Sequence, residues 1–373
     1  MAGLYIHVPF CIRKCRYCDF YSEPLGDGSG TSSYLDALEM ELGTLPQGFR
    51  PETVYIGGGT PTALKPADLE DLFTSIQREV DLSGVTEWTC EANPGTLARE
   101  EAEILRESGI NRVSLGVQSF DPQNLAFLGR IHSAQEAVDS FRLLRECGFK
   151  NVSLDLMYAI PGSSRGQLET DLARIVNLEP EHVSCYGLIF EKGTPLTRLR
   201  DAGEVAEIED DEQLEQYRLV RRTLAAAGYR HYEISNFAKP GFESRHNLLY
   251  WSGGEYIGCG PAAHGHWLGR RYANVRNVGD YSRLLMEGQS VRASEEKLKP
   301  DAKARETLVM GLRRIDGVDR EEFRRGTGFD YRDLLGKEID ALCELGMLEE
   351  VDHRLRLTEK GLFVSDSVFA ELV

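Results

Sequence analysis

Through the first two-thirds of the chain, short β-branched runs alternate with longer amphipathic stretches, and that alternation leaves few folds open. The strand candidates are Leu4 to Val8, Thr53 to Ile56, Glu87 to Cys90, Arg112 to Val117, Val152 to Met157 and His182 to Leu188. Between them lie helical patterns over Ser33 to Leu45, Pro66 to Val80, Arg99 to Ser108, Ala134 to Cys147 and Arg165 to Leu178. Strands separated by helices pair in parallel through right-handed crossovers. Six such units predict an α/β fold, a partial (β/α)6 barrel that stays open rather than closing eightfold. Polar residues and glycines follow the strands' C-terminal ends, where βα proteins place their chemistry.

The pattern changes near residue 230. Tyr232 to Phe237 reads as a strand, followed by a glycine- and aromatic-rich stretch from Lys239 to Trp267. A helix over Pro300 to Leu312 opens a final unit. There Tyr331 to Glu344, Gly346-Met347-Leu348, Leu355 to Thr358 and Gly361 to Leu372 read helix, turn, strand, helix. That order resembles a small winged-helix-like α+β module. The expected division is therefore a barrel over 1–230, a connecting region over 231–290 and the C-terminal unit over 291–373. The run Gly26-Asp27-Gly28-Ser29-Gly30-Thr31-Ser32-Ser33 reads as a loop.

At 373 residues the chain exceeds one ordinary core. Its net charge of -17, without a clustered basic run, argues against nucleic acid or an anionic membrane surface as partner. No stretch approaches the ~20 apolar residues that span a bilayer, and the N-terminus lacks the pattern of a signal peptide. A cytoplasmic protein is expected. Three of the eight cysteines crowd into the first eighteen residues, and the other five are scattered through apolar segments as reduced thiols.

Those three form Cys11-Ile12-Arg13-Lys14-Cys15-Arg16-Tyr17-Cys18, with the spacing C-x3-C-x2-C. Thiolates this close can hold one metal centre from a single loop, and Arg13 and Lys14 between them should lower the thiol pKa values. An electron-transfer [4Fe-4S] cluster takes four cysteines, so three leave one iron open to a small chelating molecule. The alternative is structural zinc, with His7 as a fourth ligand.

The motif resembles that of the radical-SAM superfamily, which implies a radical-SAM barrel with a [4Fe-4S] cluster on Cys11, Cys15 and Cys18. In that family the open iron binds S-adenosylmethionine (SAM), and one electron cleaves it to methionine and a 5′-deoxyadenosyl radical. Gly57-Gly58-Gly59-Thr60-Pro61 closes the second strand, where missing Cβ atoms let a backbone approach a ligand and Thr60 adds a hydroxyl. Further strand ends carry Glu91, Gln118 and Asp155, with Arg130 twelve residues after Gln118. Carboxylates suit ribose hydroxyls, and a guanidinium suits a carboxylate. By resemblance Tyr5, Tyr17, Gly58, Gly59, Thr60, Glu91, Gln118, Arg130 and Asp155 are the SAM-binding positions.

The resemblance narrows to the coproporphyrinogen-dehydrogenase-like branch, which holds oxygen-independent coproporphyrinogen III oxidases and radical-SAM haem chaperones. The oxidases continue the cluster motif with a further cysteine where this chain has Phe20, and they carry an extension before the barrel, whereas Tyr5 here stands six residues before Cys11. Arg245-His246-Asn247-Leu248-Leu249-Tyr250-Trp251 contains H-N-x-x-Y-W, similar to the chaperones' haem-associated motif. An imidazole is a good iron ligand and aromatic rings suit a porphyrin face. The expected haem-binding residues are thus His246, Asn247 (orienting the imidazole), Tyr250 and Trp251, with His264 and His266 as rival ligands. The resemblance implies binding of haem and its transfer to an apo-haemoprotein, with an electron donor for the cluster. Coproporphyrinogen oxidase activity is not expected. A transient membrane contact and a homodimer stay open, and nucleic-acid binding through the C-terminal unit is a third, disfavoured reading.

Overall fold

The computed structural model describes residues 2–26 and 29–373. Strand β1 (Ala2–Val8) leads into a short parallel pair, β2 (Phe10–Cys11) and β3 (Glu23–Pro24), that brackets the cysteine loop. Then come α1 (Ser29–Leu42), β4 (Thr53–Gly58), α2 (Pro66–Glu79), β5 (Glu87–Ala92), α3 (Arg99–Glu107) and β6 (Arg112–Gln118). Helices α4 (Pro122–Leu128) and α5 (Ala134–Glu146) precede β7 (Val152–Tyr158), α6 (Arg165–Leu178), β8 (His182–Gly187), α7 (Pro195–Asp201) and α8 (Asp210–Ala226). All six expected strands form. So do the helices between them, with Ser133 and Ser164 closing capping boxes at the starts of α5 and α6.

The chain continues through β9 (Arg230–Glu233), β10 (Asn236–Ala238), α9 (Arg245–Trp251), β11 (Glu255–Cys259), β12 (His264–Trp267), β13 (Arg270–Asn274), α10 (Val278–Met286) and β14 (Arg292–Lys297). These elements correct the expected connecting region, because most of them belong to the barrel sheet. The sheet has twelve strands in the order β14-β13-β12-β11-β1-β4-β5-β6-β7-β8-β10-β9. Its seven central strands, β11 through β8, are parallel, and antiparallel strands flank them on both sides. The segment expected as one strand over Tyr232 to Phe237 is instead the hairpin β9–β10, with a register shift at Asn236. The expected loop over Gly26–Ser33 is helical from Ser29 onward, and Asp27 and Gly28 lie outside the described residues.

Side-chain alternation divides the sheet's two faces. Leu4, Ile6, Val54, Ile56, Val113, Leu115 and Leu154 are fully buried in a core shared with helix residues such as Leu38, Leu72, Ile76, Leu105 and Leu172. The alternate positions carry Tyr5, Thr53, Tyr55, Thr89, Glu91, Ser114, Ser153, Asp155, His182 and Ser184. Strands of a parallel sheet buried on both faces are usually apolar throughout. A polar inner face marks a barrel that lines a ligand chamber rather than filling itself.

The C-terminal unit comprises α11 (Pro300–Leu312), β15 (Val318–Asp319), α12 (Arg320–Thr327), α13 (Tyr331–Glu344), β16 (Leu348–Val351), β17 (Arg354–Leu357), α14 (Glu359–Phe363) and α15 (Ser365–Leu372). Its three strands pair in the order β15-β17-β16 around a second core that includes Leu308, Leu312, Tyr331, Ile339, Leu355 and Phe369. Backbone bonds from Ile234 N to Arg313 O and from Ile315 N to Tyr232 O, both 3.1 Å, join it to β9 and the turn that follows. Among the described residues no helix is long and apolar enough to cross a membrane.

Candidate functional site

The cysteine loop leaves the C-terminal end of β1 and is tied down by its neighbours. Arg16 N donates to Leu128 O, Leu196 N donates to Arg16 O, and Arg13 Nη2 donates to the carbonyls of Gly129 and Arg130. Arg13 is therefore engaged with backbone. Burial pushes the Cys18 thiol up to about 11, and the neighbouring Cys15 and Cys11 push the same way, while Lys14 only partly offsets them. The expected lowering by adjacent cations does not hold for Cys18, because desolvation outweighs an exposed lysine. A metal centre, not the local field, would draw off that proton.

Two side-chain paths converge on the loop. Cys11 Sγ lies 3.5 Å from Thr60 Oγ1, which accepts a 2.6 Å hydrogen bond from Asn93 Nδ2. The Arg130 fork donates through Nη1 to Cys15 Sγ (3.4 Å) and through Nη2 to Gly116 O (2.5 Å) and Asn93 Oδ1. Thr60, Asn93 and Arg130 thus connect two of the three thiols. Gln118 stands beside them at a register shift in β6 with φ +66. A bulge with left-handed backbone re-aims a side chain at some cost, which is characteristic of functional positions. Tyr17 packs with Leu128, Met157 and Leu196 behind the loop.

Deeper in the chamber, Glu91 accepts from Tyr55 Oη (2.8 Å) and from Gly58 N (3.1 Å). Burial pushes its carboxyl up to about 7; those two hydrogen bonds resist the rise and the Asp155 charge adds to it. Asp155 is likewise raised by burial, against a 3.0 Å bond from Ser114 Oγ. Arg112, 2% exposed with no partner for Nε, lowers both carboxyls by its charge. Tyr5 Oη is hydrogen-bonded to His7 Nδ1 (3.0 Å), and His7 Nε2 is bonded to Tyr21 O (2.8 Å).

The glycine run also answers to packing within the barrel. A Cβ on Gly57 would meet the Glu91 carboxylate at 2.6 Å, one on Gly58 the His7 ring at 2.3 Å, and one on Gly59 the Phe10 carbonyl at 2.5 Å. The protein's own groups fill the space, so these glycines let β4 close against β1 and Glu91.

The H-N-x-x-Y-W segment lies at the opposite end of the barrel. It forms α9, whose first N–H groups, on Arg245 and His246, donate to the Glu87 carboxylate at the start of β5. His246 is 0% exposed, and its ring nitrogens are hydrogen-bonded to Thr53 Oγ1 (2.8 Å) and Tyr250 Oη (2.7 Å). The Tyr250 ring packs edge-on against Tyr256, and the Arg313 guanidinium covers Trp251 at 4.6 Å. The Asn247 backbone is held by Ser244 Oγ, and it is Tyr250 and Thr53, not Asn247, that orient the imidazole. The four residues expected to bind haem, His246, Asn247, Tyr250 and Trp251, thus stand together on α9, with the imidazole held by protein hydroxyls. In this structure the motif staples α9 between the barrel floor and the C-terminal unit, and no ring nitrogen of His246 is open to iron.

Comparison with known proteins follows the same outline. Residues 5–175 match the radical SAM superfamily and residues 298–364 match the HemN C-terminal domain. The chain is 37% identical to the heme chaperone HemW of Lactococcus lactis subsp. lactis (strain IL1403), over 99% of this chain and 96% of that one. It is 36% identical to the heme chaperone HemW of Bacillus subtilis (strain 168), over 99% and 98%. The chain belongs to the HemW family. The Escherichia coli coproporphyrinogen III oxidase HemN, a radical SAM enzyme, superposes with a TM-score of 0.86 over 100% of this chain and 89% of its own, at 21% identity. That likeness speaks for the fold alone.

As a radical-SAM family, HemW implies a [4Fe-4S] cluster and SAM. The residues present fit that pair. The loop offers three thiols, Cys11, Cys15 and Cys18, none of them in a disulfide. His7 has both nitrogens engaged and cannot complete a tetrahedral zinc site. Sequence reasoning passed over Asn93, the hub between Thr60 and Arg130, and Tyr55 and Arg112 inside the chamber. The period-two parity of the strands is the signal that could have found the last two, since both share the inner face with Glu91 and Asp155.

Proposed function

We propose that this protein binds haem and hands it to an apo-haemoprotein, using a barrel that carries a [4Fe-4S] cluster on Cys11, Cys15 and Cys18. End-to-end similarity to relatives named heme chaperones carries the reading. Phe20 supports it: where the oxidases' motif has a further thiol, this loop presents a phenyl ring 68% exposed. Ile12 on the same loop, and Tyr186 and Ile189 at the C-terminal end of β8, are also exposed. Together they offer apolar surface at the chamber mouth for a flat macrocycle.

Bound SAM and cluster would supply one-electron cleavage chemistry. The chain's own part is to place the ligand. Arg130 would meet the carboxylate, Glu91 and Asp155 the ribose hydroxyls, and Thr60, Gly58 and Gly59 the methionyl end. Tyr5, Tyr17 and Gln118 would complete the walls. On this reading the protein acts in the cytoplasm, with an electron donor, and with membrane contact or self-association secondary to delivery.

The test is anaerobic reconstitution with iron and sulfide, then haem titration with and without SAM, then addition of an apo-haemoprotein. Wild type should gain a brown chromophore that the Cys11→Ala, Cys15→Ala, Cys18→Ala triple variant lacks, and haem should pass to the acceptor. Anaerobic conversion of coproporphyrinogen III, or stoichiometric zinc on the loop, would overturn the proposal.

A further inference from the structure

Arg112 opens β6 on the chamber face, sharing the parity of Ser114 two residues on. It is 2% exposed, and its guanidinium makes no hydrogen bond or ion pair among the described residues. Arginine is almost never buried alone, because an uncompensated charge in a dry interior is costly. Its register partner on β5 is Thr89, whose hydroxyl is also fully buried and without a partner.

The strand registers set this cation beneath two carboxyls. Thr89 stands two residues before Glu91, and Glu91 pairs with Ser114. Ser114 Oγ donates to Asp155 (3.0 Å), and Ser153 Oγ donates to the same carboxylate at 3.3 Å. Two residues of strand rise about 6.6 Å, a step within the length of an arginine side chain. The phenols and imidazoles around Glu91 and Asp155 are neutral from pH 5 to 9. Burial raises the phenols of Tyr5 on β1, Tyr55 on β4 and Tyr186 on β8, and it lowers the rings of His7 on β1, His182 on β8 and His246 on α9. Glu87, at the floor, is engaged with the first N–H groups of α9, and Arg130, at the other end, with Cys15, Asn93 and Gly116. Burial raises the Glu91 and Asp155 carboxyls, and the charge of Arg112 opposes that rise in both.

We propose that Arg112 is a positioning residue for SAM, an unpaired guanidinium beneath the ribose subsite that keeps Glu91 and Asp155 as acceptors without touching the ligand. A ribose hydroxyl donates to a carboxylate, whereas a protonated carboxyl has less acceptor capacity and competes as a donor. Charged carboxylates also suit the sulfonium of SAM. The inference rests on the SAM placement above, in which Glu91 and Asp155 meet the ribose.

SAM affinity is measured by calorimetry between pH 5 and 9 on the anaerobically reconstituted full-length protein, with the cluster left oxidised so that SAM is not cleaved. Wild type should bind more weakly as the carboxyls take up protons. Arg112→Gln and Arg112→Met should move that weakening upward by about one pH unit, so that near pH 6 they bind about tenfold more weakly than wild type. At pH 9 the gap should close, because the carboxyls are then ionised in every variant and loss of a positive charge does not weaken a cationic ligand. Arg112→Lys should follow wild type. The methionine variant leaves no new polar group unpartnered, which keeps a folded protein to test. The amine of SAM titrates alike throughout, so the difference between variants is the readout. An equal loss at every pH, an unchanged profile, or a lysine variant that tracks the neutral ones overturns the role of Arg112 while SAM binding stands. Failure of wild type to bind SAM at any pH overturns the ribose subsite as well.

Discussion

Glu91 shows how the chamber sets the chemistry of a single side chain. Two hydrogen bonds that favour the carboxylate do not overcome burial, so its proton is held to about 7 instead of the ordinary 4.5. A carboxyl raised by folding contributes stability below its unfolded value and loses that contribution as pH rises through the folded one. Between pH 4.5 and about 7 it should therefore make the unliganded protein progressively less stable. Glu91→Gln removes the titration, so its stability relative to wild type should climb over that window by about 1–3 kcal/mol and then level off. Urea midpoints from pH 5 to 8 measure it. Asp155, Glu41 and Glu233 are raised too, so both proteins keep a common downward slope and the difference between them is the diagnostic. A difference flat in pH would mean that the Tyr55 and Gly58 bonds hold Glu91 ionised throughout.

Helix α9 presents a motif whose sequence suggests a ligand site and whose structure shows a staple. Glu87 caps its start, His246 bridges Thr53 on β4 to Tyr250 one turn on, and Trp251 meets Arg313 at the start of the C-terminal unit. His246→Ala would leave two hydroxyls unpartnered in a buried space, a loss of about 2–4 kcal/mol in a urea melt at neutral pH. Burial lowers the His246 ring to about 3 from 6.5, so folding must keep it neutral, and the deficit of the alanine variant should shrink as pH falls below 6.5. A cost under about 0.5 kcal/mol would show the bonds to be incidental. The six βα units were legible because their periodicity is local: β-branched alternation and capping serines lie within each segment. The far edge was not legible, because its glycines answer to distant partners. Gly258 is shaped by the His264 backbone and Gly265 by the Tyr272 ring, contacts that look like loop composition until the strands are placed. The site divided the same way. The cysteine spacing stands within eight residues, whereas the closure of His246 depends on Thr53, 193 residues away.

At the scale of the whole molecule, the C-terminal unit poses the last question, since a helix-rich unit with a short hairpin is a common shape among DNA-binding proteins. Its charges argue otherwise. Arg320 pairs with Asp330 (3.0 Å), Arg332 with Asp340 (2.6 Å) and Glu350, Arg356 with Glu349 (2.8 Å), and Arg354 approaches Asp319 (3.7 Å). Arg313 lies over Trp251 and faces the barrel. Arg324 and Arg325 on α12 make no ion pair among the described residues; Arg305, Arg314, Lys337 and Lys360 make none either but stand on separate elements, so a phosphate run would meet about two of these cations at once, few against the roughly 6–10 phosphate contacts of a specific binder. The molecule around them carries a net charge of -17, whose field repels a polyanion before contact. A labelled duplex titrated with the protein should therefore show no binding at moderate salt, and any low-salt association should have a slope of log affinity against log salt no steeper than about -2. A slope several times steeper would reveal a cationic surface that the ion pairs conceal. The same surface charge suits a carrier that must approach a protein acceptor without being held by nucleic acid or anionic membrane, leaving the second core to brace α9 and, through it, the floor of the barrel.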